Sequence, residues 1–226
     1  MLALLRSKVV HRRWVLRAFF RFYLGKVLQR MPLHKAVLPE AVFAFRPWSI
    51  DPQKVRVLFV VSGAPYLKPE QNHGYALSVP KYGKGIVYPK GWWALMDEYA
   101  ESLGFTLPSS GSLESWHKKG IMMIYHVPVH DGKDTHIYED KGWEMLAYDT
   151  VATLSDNRER MVFVFMGKTC WYLSSRVDES KHLVLRTPYP SNMTKFKGCG
   201  IFTTILSYLG EDRYFFKLPT SKVKLR

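Results

Sequence analysis

VRVLFVVSGAPYLKPEQNHGYALSV, residues 55–79, decides the fold. Its first eight residues are a short apolar run rich in valine, the pattern of a strand buried on both faces of a parallel sheet. A polar loop with two prolines and two glycines follows at once. In open α/β sheets the ligand crevice lies outside the carboxyl ends of the strands, so a loop in this place is where function is expected.

Three further runs repeat the pattern: GIMMIYHV (120–127), RMVFVFMG (160–167) and HLVLRT (182–187). Segments of helical character alternate with them, at residues 91–105, 112–120, 141–156, 168–177 and 200–210. Alternation of this kind predicts a three-layer α/β/α sandwich on a central, mainly parallel sheet of about four strands. The loops that leave the strand ends are 62–79, the segment from Tyr125 onward, the turn at Gly167, Lys168 and Thr169, and residues 187–200.

The 226 residues suit one substantial domain, assigned to 54–226, preceded by a basic extension and connector at 1–53. Pro32, Pro39, Pro47 and Pro52 make 31–53 an extended connector. The net charge of +14 is uneven. Residues 1–39 hold nine basic residues and no acid, leaving +5 for the rest. An Arg-rich, acid-free helix is the composition of a mitochondrial presequence. Arg6, Arg12, Arg13, Arg17, Arg21 and Arg30 there, with Lys195 and Lys197 near the other end, are the candidate contacts to a nucleic acid or protein partner. The basic residues interrupt the one region apolar enough to suggest a membrane span.

Two cysteines, Cys170 and Cys199, are too few for a disulfide framework and read as core thiols. His73, His117, His126, His130 and His136 show no ligand spacing, so no metal is expected and the histidines read as polar loop residues. Asp131, Asp134, Glu139 and Asp140 read as a solvated turn. No phosphate-binding glycine motif occurs, and no cofactor or small-molecule substrate is expected. Trp92, Trp93, Trp143 and Trp171 fall in predicted helices and read as core.

Taken together, the strand-end segments resemble the uracil-DNA glycosylase family. SGAPYLKPEQNHGYALSV is similar to the family's first loop, GQDPYHGPxQAHGLxFSV, with Pro65, Tyr66, Pro69, Gln71, His73, Gly74, Ser78 and Val79 in place. Residues 113–146 match LxxWxxxGVLLLNxxLTVRxxxxxSHxxxGWE without a gap, through Trp116, Gly120, Gly142, Trp143 and Glu144. Residues 182–206 resemble the HPSPLSxxxGFFGCxHF segment with one residue missing after Pro190. The resemblance spans roughly residues 55–209.

It also marks departures. The loop Asp that positions water corresponds to Ala64, and the His that hydrogen-bonds the departing base corresponds to Thr187. The Asn that reads the uracil edge corresponds to Tyr125, the stacking Phe to Leu77, and the Leu wedge to Ser191. Only Tyr66, the position that excludes the thymine methyl, is retained. Each lost acid-base or electrostatic group is worth about 10²-fold or more. The expectation is therefore a catalytically inactive member. With the basic segment, it is expected to serve in the mitochondrial matrix as a structural subunit of a ribonucleoprotein, foremost the mitochondrial ribosome, contacting ribosomal RNA and neighbouring proteins. The alternatives are a divergent mitochondrial uracil-DNA glycosylase in base-excision repair, or a non-catalytic DNA-binding accessory module.

Overall fold

The computed structural model describes residues 46–63, 65, 66, 71–80, 88–130, 133, 134, 136, 138–190 and 193–220. The expected arginine contacts in 1–45, together with Ala64 and Ser191, lie outside them.

The four apolar runs form β1 (Val57–Val61), β2 (Ile121–Tyr125), β3 (Val162–Met166) and β4 (Leu183–Thr187). All pairings are parallel, in the order β2-β1-β3-β4. The first three strands are buried at every position, which is why they lack an apolar/polar alternation. β4 is the edge. Its Arg186 is exposed, pairs with Glu179 at 3.2 Å and donates from Nε to Ser174 Oγ; a charge there discourages pairing with another chain.

Between the strands lie α1 (Lys90–Leu103), α2 (Glu114–Lys118), α3 (Glu144–Asn157), α4 (Met193–Phe196) and α5 (Ile201–Leu209). The strand period of two divides the core into two layers. Phe59, Val61, Met123, Tyr125, Val164 and Met166 meet α1, α5 and Trp116 on one face. Val60, Ile124, Phe163 and Phe165 meet α3, Leu173 and Trp48 on the other. This is the expected three-layer sandwich.

Four local expectations change. Residues 168–176 form a 3-10 helix instead of an α-helix; Cys170 and Leu173 still pack inward. Residues 46–54 are not extended but make two 3-10 turns, and they bury Trp48, whose Nε1 donates to Thr150 Oγ1 at 3.0 Å. The histidines are not loop decoration: His73, His117, His126 and His130 are all buried. Trp93 reverses the core reading, being 40% exposed, while Trp92 and Trp143 are buried and Trp171 is half-buried. Among the described residues no helix is long and apolar enough to cross a membrane.

Candidate active site

β1 pairs with β2 on one side and β3 on the other, so chain connections diverge above the ends of β1 and β3, the place where sheets of this kind bind ligands. The two ends are held tightly. Ser62 N–H donates to Met166 O and Gly167 N–H to Thr187 O, each at 2.8 Å. Gly167 has φ +98, and a Cβ on it would stand 2.5 Å from Ser62 Cβ and 3.3 Å from Tyr189 Cβ. Glycine here lets the backbone of one strand end close on the other, a turn no larger residue fits.

The first loop folds on its own polar groups. Asn72 Oδ1 accepts from Tyr66 N–H at 3.0 Å and its Nδ2 donates to Tyr66 O, a side chain acting as a second strand of backbone. His73 Nε2 and Ser78 Oγ share a hydrogen bond of 2.5 Å, and Ser78 Oγ accepts from Leu113 N–H at 2.8 Å. Burial, reinforced by the Arg46 charge, pushes the His73 imidazole down to about 4, so it is neutral at pH 7. His117 is likewise pushed by burial to about 4, and its Nε2 meets Ser49 Oγ at 3.0 Å.

The loop ends by placing Leu77 at φ +58 and completely buried. Its N–H donates to the Tyr125 hydroxyl at 3.1 Å. Tyr125, at the end of β2, lies edge-on to Tyr66 with ring centroids 6.4 Å apart. The Tyr66 hydroxyl is buried without a hydrogen-bond partner among the described residues. Tyr189, from the loop after β4, completes the group: the position of a Cβ on Gly91 would be 3.8 Å from both the Tyr66 and Tyr189 hydroxyls and 3.1 Å from Leu77 Cδ2. Burial raises the pKa of all three phenols, and for Tyr66 the neighbouring Tyr125 and Tyr189 raise it further. All three stay protonated at neutral pH and are available as donors. Beside them is a cavity of about 10 Å³, bordered by Trp48, Pro65, Asn72, Tyr75 and Tyr125, among others. That is room for one water, not a base.

Thr187 ends β4 and is buried, its hydroxyl turned back to Pro188 O at 3.2 Å. The loop beyond it is fixed by Glu98, a fully buried acid of α1. Glu98 accepts from Gly198 N–H at 2.6 Å and from Gly200 N–H at 2.9 Å, and Ser102 Oγ donates to it as well. Lys195 is exposed on α4, and Lys197 pairs with Glu101 at 3.5 Å. The structure thus brings Tyr66, Leu77, Tyr125 and Tyr189 together, with Thr187 two residues before Tyr189. Glu98, Gly91 and Tyr189 escaped the sequence reading. The one available signal was an acid between Met96 and Tyr99 on an otherwise apolar helix face. Among the described residues no three His, Cys, Asp or Glu side chains gather as a metal site.

No family-wide sequence model matches the chain. Individual proteins do. It is 30% identical over 195 residues to the uracil-DNA glycosylase of Actinobacillus succinogenes, covering 84% of this chain and 86% of that protein. The chain belongs to the uracil-DNA glycosylase family. The Glaesserella parasuis uracil-DNA glycosylase is 28% identical over 207 residues, covering 89% and 93%. Among solved structures, mimivirus uracil-DNA glycosylase superposes with a TM-score of 0.79 at 19% identity, covering 95% of this chain and 89% of that one. The wild-type UNG of Nitratifractor salsuginis gives 0.63 at 14% identity, covering 96% of each. These two likenesses show the glycosylase fold.

The relatives correct two expectations. They carry the name of an enzyme over nearly their full length, and this overturns the reading of an inactive protein. The ribosomal, ribonucleoprotein role, argued from inactivity together with the basic segment, is overturned by the same enzyme relatives. The inactive reading rested on counting departures one position at a time, whereas the structure gathers Tyr66, Tyr125 and Tyr189, all with raised pKa, around Leu77.

Proposed function

We propose that this chain is a divergent uracil-DNA glycosylase acting in base-excision repair, with tyrosine hydroxyls doing the work of the family's amide and imidazole. The observation that carries the reading is the Tyr125 phenol, which accepts from Leu77 N–H and keeps its own proton to give. In the reaction the C1′–N1 bond breaks, its electron pair leaves with the base, and water adds to the sugar carbon, the proton it gives up neutralising the uracil anion. Negative charge therefore grows on the departing uracil. A positioned neutral donor in a water-poor site stabilises that charge, an effect worth about 10²-fold to 10³-fold, and a phenol polarised by an accepted N–H is a better donor than one in isolation.

Release of uracil from a single-stranded oligonucleotide tests this. Wild-type protein is expected to exceed buffer, and Tyr125→Phe to lose about 10²-fold of that rate. Wild-type release no faster than buffer would sink the proposal. The acid-free composition of residues 1–39 supports delivery to mitochondria. A fusion of residues 1–30 to a fluorescent protein checks that, and diffuse cytosolic signal would count against it.

A further inference from the structure

The first turn of α1 carries a cluster of rings beside the pocket. Tyr88 and Trp92 stack with centroids 4.3 Å apart at 19°. Trp92 is buried and donates from Nε1 to Gly111 O at 3.1 Å. Tyr88 rests on Gly111 itself, where a Cβ would come within 2.6 Å of its ring. Both rings are therefore fixed. Trp93 stands edge-on to each, at 5.8 Å and 86° from Tyr88 and at 4.9 Å and 82° from Trp92. It is 40% exposed.

Among the described residues, the other exposed aromatic side chains are already engaged. Tyr172 bonds His126 Nε2 at 3.0 Å, and Tyr214 lies beneath Arg213 and Lys217. Trp93 has no such polar or cationic contact among the described residues. A large ring held in place by two others, yet facing solvent, has lost its rotational freedom before any ligand arrives, which lowers the entropic cost of binding.

We propose that Trp93 is a stacking platform for an unpaired base of the DNA strand that flanks the nucleotide in the pocket; this rests on the DNA-directed reading above. Continuity with the pocket argues for that occupant. Gly91, where a Cβ would meet Leu77 Cδ2 at 3.1 Å and the Tyr66 and Tyr189 hydroxyls at 3.8 Å, shares the first turn of α1 with Trp93, so the pocket and the exposed ring sit at the same end of one helix. Charge argues the same way. Lys90 is exposed, the first turn of α1 holds no acid, and the chain carries +14 overall. Every base has a π face, so such a platform accepts any sequence. It contributes grip and leaves selection of uracil to the pocket.

Fluorescence anisotropy with a labelled single-stranded 15-mer tests the platform on full-length wild type, Trp93→Ala and Trp93→Phe. Trp93→Ala is expected to raise Kd by about fivefold to a hundredfold, with Trp93→Phe in between. An abasic residue at one flanking position should weaken wild type by the same factor and leave Trp93→Ala unaffected, because ring and base act as one pair. The substitution is at an exposed position, and an unchanged circular dichroism spectrum verifies the fold. If wild type binds and Trp93→Ala binds equally well, or if the abasic scan is flat, the platform is wrong while the glycosylase reading stands. If wild type binds no DNA at low salt, both fall together.

Discussion

The Tyr125 hydroxyl accepts the backbone N–H of Leu77 across 48 residues of chain. It joins the end of β2 to the end of the first loop, and it holds Leu77 at a positive φ that a branched side chain adopts at a cost. Tyr125→Phe would leave that buried N–H without a partner. A loss of about 1–3 kcal/mol in urea unfolding is expected. A variant as stable as wild type would show that the bond is not formed in solution, and would remove the stated reason for the phenol's donor strength.

Glu98 ties α1 to the loop after β4 through two glycine N–H groups at left-handed positions, Gly198 at φ +74 and Gly200 at φ +64. Glu98→Gln keeps the size but halves the acceptors. A destabilisation of about 2–4 kcal/mol is expected from the weakened charge-assisted bonds and an amide facing donors. Amide hydrogen exchange should accelerate at Gly198 and Gly200 above all. Exchange that rises uniformly instead would mean that Glu98 stabilises the core and does not position the loop.

His73 and His117 are held near 4 in the folded protein against about 6.5 when unfolded. Between these values the unfolded chain binds more protons, so their stability contribution is complete above pH 6.5 and is lost as pH falls towards 4. Each contributes a slope of at most about 1.4 kcal/mol per pH unit. Urea midpoints measured from pH 7 to 4.5 should fall, and His117→Gln should flatten the curve. An unaltered slope in that variant would place the protons elsewhere.

Asp149 titrates with the opposite sign. It is 1% exposed, neither carboxylate oxygen has a hydrogen-bond partner among the described residues, and burial raises its pKa to about 7 despite the Arg176 charge. The folded state then holds its proton where the unfolded chain has released it, and stability declines as pH rises from about 4 to 7. Asp149→Asn should be more stable than wild type at pH 8, by about 1–3 kcal/mol, with little difference at pH 4.5. Thermal unfolding at the two pH values decides it, and an equal shift at both would rule out titration as the cause.

Which features are legible without coordinates follows from how far apart in the chain their causes lie. Each strand of the sheet is a contiguous apolar run, and the loops that leave the strands carry the family's spacing within short contiguous segments, broken only by the residue missing after Pro190, so the fold can be read residue by residue. The chemistry of the site cannot. Tyr125 meets Leu77, Glu98 meets Gly198 and Gly200, and Gly91 meets Tyr189 only after chain separations of 48 to about 100 residues close. The burial that neutralises His73 and leaves Asp149 unpaired likewise exists only once both faces of the sheet are covered. Tyr125 shows the difference: alone it is the loss of an amide, and beside Leu77 N–H it is a polarised donor. Local pattern settles the strands and most of the helices, while long-range packing sets strand order and register and decides which proton each side chain keeps.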